Sequence, residues 1–196
     1  MIIFLRCAAL AVALMPAMVT AVDEPDTGAE EAGGNALSVS MSLATRNGKS
    51  KDIGTIRVEE KIRGIVLAPH LKGLRQGAHG FHVHEHDDCS SVREEAKSGS
   101  TPEYVAAGNE GGHLSSGLAD SHTGPYGDGH LGDLPILYVD NNGVANHPVY
   151  APRLRLNDLP GRALVIHANP DNYSDDPEEN GGSGPIIACG IVDGDK

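Results

Sequence analysis

Apolar and polar residues alternate near the start of the chain, which is the pattern of a strand with one buried face. Between Ala36 and Leu43 every second residue is apolar: Leu37, Val39, Met41 and Leu43. Successive side chains of a strand point to opposite faces, so these four share one face. The pattern predicts a first strand over Ala36–Leu43, and the polar run Arg46-Asn47-Gly48-Lys49 behind it predicts a turn.

Seven later segments are short and apolar, and turn-forming residues bound them, so we interpret each as a strand. They are Ile53–Val58, Arg63–Leu67, Ala78–Glu85, Leu134–Val139, Gly143–Tyr150, Gly161–Ala168 and Ile186–Val192. Pro69–Gly77 is expected to be a connection. Asp87–Asp133 and Asn169–Gly184 lack periodicity, and loops of that length are usually functional. The order predicts an all-β fold, a Greek-key eight-stranded β-barrel or sandwich with two long functional loops.

The overall composition agrees with this prediction. A chain of 196 residues is long enough for one domain with a substantial core. Its 25 glycines, 12 prolines and lack of tryptophan favour short strands and turns over a helix bundle.

The first 35 residues differ from the rest. Residues 1–21 have an early positive charge, an apolar stretch and a small-residue end, which is typical of a secretory signal peptide. A retained membrane anchor is the alternative, but the stretch is short for a spanning helix. Residues 22–35 are acidic and small, so we expect a flexible acidic tether. Residues 36–196 form the predicted domain, and the mature protein should be exported, periplasmic or extracellular, without stable membrane insertion.

The charge is strongly negative. The formal net charge is −12, and cleavage near Ala21 removes Arg6 and no acid, which leaves −13. Such a chain repels phosphate backbones and anionic lipid, so nucleic acid and anionic membranes are not expected partners.

Cleavage would also remove Cys7 and leave Cys89 and Cys189. An oxidising compartment permits the one pairing that two cysteines allow. Closing that loop would stabilise the fold by at most about 4 to 5 kcal/mol. Two separate buried thiols are the alternative.

Histidines carry the candidate chemistry. His82 and His84 share one face of a predicted strand, with roughly 6 to 7 Å between their Cα atoms, so both can bind one metal ion. His79 has the opposite parity and is expected to be a buried, hydrogen-bonded residue, whereas His86 is expected at the surface. A loop cluster of His113, His122, His130 and Asp133 supplies three nitrogens and one oxygen, which is a tetrahedral zinc set.

Several segments carry further motifs. They are Gly80-Phe81-His82-Val83-His84, Gly111-Gly112-His113, Gly124-Pro125-Tyr126, Gly129-His130-Leu131-Gly132-Asp133-Leu134-Pro135, Gly161-Arg162-Ala163-Leu164-Val165-Ile166-His167 and Ala188-Cys189-Gly190. Together they resemble the copper,zinc superoxide dismutase family, over a span from about Leu37 to Val192. The run Asp171-Asn172-Tyr173-Ser174-Asp175 is similar to the exported bacterial branch.

The resemblance implies two metal sites. Copper would be bound by His82, His84, His113 and His167. Zinc would be bound by His113, His122, His130 and Asp133. His113 would bridge the two metals and act as the catalytic proton carrier. Asp171 would orient ligands of both sites, and nitrogen and mixed ligand sets suit copper and zinc respectively.

The implied activity is dismutation of superoxide, the substrate, to dioxygen and hydrogen peroxide. One departure from the family concerns its substrate-guiding arginine, whose position is occupied by Ile186, so slower turnover is expected. An exported copper/zinc-binding protein with little or no dismutase activity is the alternative function. A copper-delivery module of related fold is disfavoured, because those typically lose copper ligands. The sequence leaves a homodimer open.

Overall fold

The computed structural model describes residues 36–94, 103–115, 117 and 121–194. The predicted signal peptide (1–21) and acidic tether (22–35) lie outside the described residues. No helix within the described residues has the length and apolar character that crossing a membrane requires.

The regular secondary structure of the described residues is β-strand, apart from two short 3₁₀ segments at Leu156–Asp158 and Glu179–Gly182. Its strands are β1 (Ala36–Thr45), β2 (Gly48–Glu60), β3 (Ile65–Lys72), β4 (Gly77–His79), β5 (Phe81–His84), β6 (Val92–Glu94), β7 (Glu103–Val105), β8 (Leu137–Val139), β9 (Val144–Ala145), β10 (Val149–Ala151), β11 (Arg162–His167) and β12 (Ile186–Val192).

One large antiparallel sheet contains most of these strands. Its order is β10-β3-β2-β1-β12-β11-β5, and β9 also pairs with β3. The first strand therefore lies between its neighbour β2 and the last strand, with Ser42 opposite Cys189. Such long-range pairing is typical of Greek-key connections, and the predicted all-β Greek-key class is confirmed. The separate pairs β4–β8 and β6–β7 lie outside this sheet.

The predicted alternation of β1 produces the core. Val39 and Met41 are buried, together with apolar residues of the neighbouring strands: Ile56, Val58, Ile65, Leu67, Leu164 and Ile166. Burying one such side chain contributes about 1.5 to 3 kcal/mol, so this core is the main stabilising element.

The predicted strand bounds were wrong at two places that involve proline and glycine. β3 continues through Pro69 to Lys72, where a connection was predicted. Pro69 lies opposite Ile56 of β2. At the other edge of β3, β10 pairs with residues before Pro69 and β9 pairs with residues after it, so Pro69 itself has no partner strand on that side. A missing N–H is tolerated there. Gly80 divides the predicted strand Ala78–Glu85, because its backbone bonds to residues His167 and Asn169 instead.

Two other predictions about connections also need correction. The segment Gly143–Tyr150 contains two short strands, β9 and β10, rather than one. The loop Asp87–Asp133 contains the β6–β7 hairpin, which has no clear apolar alternation in the sequence. That loop also contributes Ala107 and Leu114 to buried clusters, so apolar burial helps to order it.

A disulfide joins Cys89 to Cys189, with 5.9 Å between the Cα atoms. It ties the start of the long loop to the middle of β12. Both cysteines are buried in a small second cluster with Ala107, Ala163 and Val165. The pairing predicted from the sequence is confirmed, and the alternative of two separate thiols is wrong.

Replacing both cysteines should destabilise the protein. Cys89→Ala combined with Cys189→Ala removes a closed loop of 100 positions, so we expect the free energy of unfolding to fall by about 2 to 5 kcal/mol. Denaturant titration of metal-free protein measures this, with chemically reduced wild type as the control. An unchanged midpoint in the double variant would show that the disulfide contributes nothing to stability.

Candidate metal centre

Strand β5 presents two histidines to the centre. Phe81 and Val83 pack into the main core, while His82 and His84 point to the other face and are also buried. This is the alternation that the sequence predicted. On one edge β5 pairs with β11, with Val165 opposite His82.

The other edge of β5 is covered by the long loop rather than by a strand. Isolated bridges place Asp133 beside His82 and His113 beside His84. Around Val83 the backbone bonds are Leu114 N–H to Val83 O at 2.8 Å and Val83 N–H to Gly132 O at 2.9 Å. Main-chain bonds therefore bring the loop's candidate ligands against the strand's candidate ligands.

Four histidines from three parts of the chain converge. One ring nitrogen of each lies within 4.8 Å of the others, and the members of this four-histidine group are His82, His84, His113 and His167. His82 Nδ1, His84 Nε2 and His167 Nε2 are buried and have no hydrogen-bond partner among the described residues. Buried polar atoms normally have partners, so three unpaired nitrogens in one group are suited to bind a metal ion.

The opposite ring nitrogen of each of these three histidines is held by an acceptor. His82 Nε2 donates to Asp171 Oδ2 at 2.8 Å, and His167 Nδ1 donates to Gly184 O at 2.7 Å. His84 Nδ1 donates to the Gly111 carbonyl at 2.8 Å. These hydrogen-bonded ring nitrogens are the outer ones, which face away from the group and carry the protons. The inner nitrogens, which face one another, therefore keep free lone pairs, and this is the usual arrangement of metal-binding histidines.

A second group surrounds Asp133. His113 Nδ1, His122 Nδ1 and His130 Nδ1 lie 3.0, 2.9 and 3.6 Å from Asp133 Oδ1. Ligands at about 2.0 to 2.1 Å from a tetrahedral zinc ion are separated by about 3.3 to 3.4 Å, so these spacings fit that ion. We call these four residues the Asp133 group, and His113 belongs to both groups.

Asp171 connects the two groups. Its two carboxylate oxygens accept hydrogen bonds from His82 Nε2 and His122 Nε2, both at 2.8 Å. The Tyr173 backbone N–H donates to Asp171 Oδ1 at 2.7 Å and fixes the carboxylate. One side chain from the second long loop thus orients a member of each group.

Burial keeps the histidines of the four-histidine group neutral. It lowers the pKa of His82 to about 3 and that of His167 to about 4, and it holds the pKa of His84 well below its ordinary value. For Asp133, burial opposes ionisation, but hydrogen bonds from His113 and His122 outweigh it and lower the pKa. Neutral imidazole and ionised carboxylate are the forms that bind metals.

A cleft opens over His84, His113 and His167. We call this opening the mouth, and its border includes Glu110, Glu178, Glu179 and Ile186. Glu110 is buried, with Oε1 3.6 Å from His84 Nδ1, and burial raises the pKa of Glu110 to about 7.

Neither Arg153 nor Arg155 lines the mouth, so neither supplies a positive charge there. Arg153 donates to the carbonyls of Gly129 and His130, and Arg155 lies 3.8 Å from Glu60. Lys196 lies outside the described residues.

The structure brings together every candidate ligand that the sequence named, and Asp171 with them. His79 is buried, with its ring nitrogens 2.7 and 2.8 Å from the carbonyls of His167 and Arg75, and His86 is exposed, both as expected. Glu110 was missed, since nothing in its local sequence distinguishes it from a solvated loop residue. Asp175 was also missed, although it accepts a bond from the His122 backbone at 2.8 Å.

Comparison with known proteins gives consistent matches. The sequence profile of the family described as "Copper/zinc superoxide dismutase (SODC)" matches residues 53–192. "Superoxide dismutase [Cu-Zn] 2" of Salmonella typhimurium is 44% identical over 164 residues, which cover 82% of this chain and 91% of that protein.

Solved structures agree. "Cu/Zn superoxide dismutase from Brucella abortus" has a TM-score of 0.76 and 38% identity, covering 81% of this chain and 100% of that one. The solution structure of the "Monomeric Copper, Zinc Superoxide Dismutase from Salmonella enterica" has a TM-score of 0.70 and 43% identity, covering 81% and 99%.

Gly181 packs against the carboxylate of Asp171, and an alanine there should disturb the bridge between the two groups. Its Cβ would collide with Asp171 Oδ1 and lie 2.9 Å from His122 Nε2. Gly182→Ala is a matched control, because φ is +62° there against +73° at Gly181, yet its nearest contact would be an ordinary 3.6 Å. We expect NMR to show loss of the His82 and His122 Nε2–H signals in Gly181→Ala only. Equal spectra for the two variants would contradict this role of Gly181.

Proposed function

Because the chain belongs to the copper/zinc superoxide dismutase family, we propose that the four-histidine group binds copper and the Asp133 group binds zinc, with His113 shared by both. The protein is an enzyme that dismutates superoxide to dioxygen and hydrogen peroxide with copper and zinc as cofactors. The observation that supports the copper ligands is the set of buried, unpaired ring nitrogens of His82, His84 and His167, which lie within 4.8 Å of one another. The zinc ligands are supported by the convergence of three histidines on Asp133.

Each metal would supply a different chemistry. Copper would supply one-electron oxidation and reduction, which dismutation requires because one superoxide loses an electron and another gains it. Zinc, which is not redox-active, would supply positive charge and fixed ligand geometry. The protein's part is to present neutral ring nitrogens of the four-histidine group on one side and an ionised Asp133 on the other.

His113 is the residue to which we assign proton transfer. Its Nδ1 faces Asp133 Oδ1 at 3.0 Å, which leaves Nε2 for the four-histidine group. Burial lowers the pKa of His113, so Nε2 keeps its lone pair and can hold a proton whenever it is not engaged as a ligand. Since His113 also borders the mouth, that proton can be exchanged with solvent and delivered to the reduced product.

The mouth of this protein differs from that of an anion-attracting site. Ile186 borders it in the position where the family has an arginine, and the ionisable neighbours among the described residues are histidines and glutamates. We therefore expect dismutation slower than the ligand set would allow.

Export follows from the N-terminal sequence and agrees with the disulfide, since oxidising compartments preserve such bonds. The mature chain would begin after Ala21 and reside in the periplasm or outside the cell, without membrane insertion. The Salmonella enterica relative is described as monomeric, which favours a monomer here over the homodimer that the sequence left open.

Sequencing the N-terminus of protein isolated from intact cells tests export. We expect the chain to start near Val22, because the small residues before it are typical of a cleavage site. A preparation that retains Met1 would show that residues 1–21 are not a cleaved signal.

Metal loading distinguishes the enzyme from a metal-storage protein. Fully loaded protein should consume superoxide catalytically, whereas the zinc-only form should not, because only copper changes oxidation state. Pulse radiolysis measures both forms under the same conditions. Stoichiometric copper binding without turnover would instead support the alternative of an exported copper/zinc-binding protein.

Ile186→Arg should accelerate the enzyme. At roughly 6 Å and an effective dielectric of about 20, one cation attracts superoxide by some 2 to 3 kcal/mol before salt screening. Half of this attraction energy would be enough to raise the second-order rate constant about tenfold, since about 1.4 kcal/mol is a factor of ten. Stopped-flow measurement at low and high salt should show the gain shrinking as salt is added.

Ile62→Arg is the matched control for this substitution. Ile62 is 99% exposed in the turn between β2 and β3, so the variant adds the same charge away from the mouth. If Ile186→Arg is no faster than Ile62→Arg in fully metallated protein, the missing arginine does not limit the rate.

A further inference from the structure

The mouth has an unexpected charge for a site that admits an anion. Of the described residues that line it, the ionisable side chains other than histidines are Glu110, Glu178 and Glu179. Carboxylates repel superoxide and attract cations, so this border favours the approach of a metal ion over that of the substrate. The chain's overall negative charge acts in the same direction.

Glu110 differs from Glu178 and Glu179 because it is buried, whereas they are exposed. Its side chain is 9% exposed, and Oε2 is buried without a hydrogen-bond partner among the described residues. A buried carboxylate oxygen normally has a donor or a cation beside it, because desolvation without compensation is costly. The neighbouring oxygen, Oε1, lies 3.6 Å from His84 Nδ1, the ring nitrogen that faces away from the group, so Glu110 contacts the four-histidine group at the outer edge of His84.

The backbone holds Glu110 in this place. Its carbonyl accepts the His86 N–H at 2.8 Å, and the Gly112 carbonyl accepts the Glu85 N–H at 3.1 Å. The segment that carries Glu110 is thus hydrogen-bonded to the residues that follow β5. The carboxylate is presented by an anchored turn, unlike the exposed glutamates of the second long loop.

We infer that Glu110, together with Glu178 and Glu179 on the border of the same mouth, forms a cation-capture site through which the copper ion is loaded into the four-histidine group. This inference rests on the proposed function, since the captured ion is the one that the four histidines then bind. Glu178 and Glu179 raise the local concentration of the cation. Glu110 supplies an oxygen ligand next to His84, from which the ion passes to the unpaired nitrogens.

The test follows the rate of copper uptake rather than enzyme activity. The full mature chain, loaded with zinc and free of copper, is mixed with aqueous Cu(II) in a non-coordinating buffer. The visible absorbance of the copper–histidine complex is recorded by stopped flow. Final absorbance and metal content show whether the four-histidine group has been filled.

Two variants separate the two parts of the site. Glu110→Gln keeps the shape and removes the buried oxygen charge, and we expect uptake to slow by about three- to tenfold. The exposed pair Glu178→Gln and Glu179→Gln, replaced together, should slow uptake by about threefold at low salt and less in 0.1 M salt, where charges are screened beyond about 10 Å. Asp193→Asn is the control, because this exposed residue follows β12 and is not among those lining the mouth.

The outcomes are distinct. Slower uptake in Glu110→Gln than in Asp193→Asn, with the same final spectrum and metal content, supports the capture site. Uptake of Glu110→Gln at the control rate overturns it, including the case in which only the paired Glu178 and Glu179 variant is slow. If wild-type protein never develops the copper–histidine spectrum, the proposed copper ligands are wrong, which is a separate failure.

Discussion

The centre depends on one side chain that must serve two groups at once. His113 has its Nδ1 3.0 Å from Asp133 Oδ1, while its ring stacks on that of His82 with centroids 3.9 Å apart. An imidazole has two nitrogens on opposite sides, so this sharing is possible only if the ring position is fixed to a fraction of an ångström. The bridge between His84 and His113 and the bond from Leu114 N–H to Val83 O provide that restraint from the backbone.

The restraint has to be imposed on loops that contain few apolar residues. The disulfide anchors one end of the first loop to β12, and the main-chain bonds to β5 hold its other end. Asp171 performs the same task for the second loop, because its carboxylate links His82 to His122. Without bound metal the inner nitrogens remain uncompensated, so we expect the metals to contribute to the order of both loops.

The strands and side-chain faces that the sequence predicted correctly are those for which the local pattern of apolar and polar residues reflects the environment in the folded chain. β12 has the predicted bounds, and the parity of His82 and His84 placed them on one face, because alternation is a local property. Pro69 within β3 depends on which edge of that strand is paired, and the break at Gly80 depends on residues His167 and Asn169. Such contacts form only in the folded chain. The burial of Glu110 likewise depends on a loop turning back over β5.

Whether His113 serves both groups is best decided by replacing zinc with Co(II) in protein that holds Cu(II). An imidazolate shared by the two ions would couple their unpaired electrons, so the Cu(II) electron paramagnetic resonance signal should disappear near room temperature and fast-relaxing histidine proton signals should become visible by NMR. A normal, uncoupled Cu(II) signal in a chain shown to contain one copper and one cobalt would contradict the sharing of His113. The two groups would then be separate sites with different ligands.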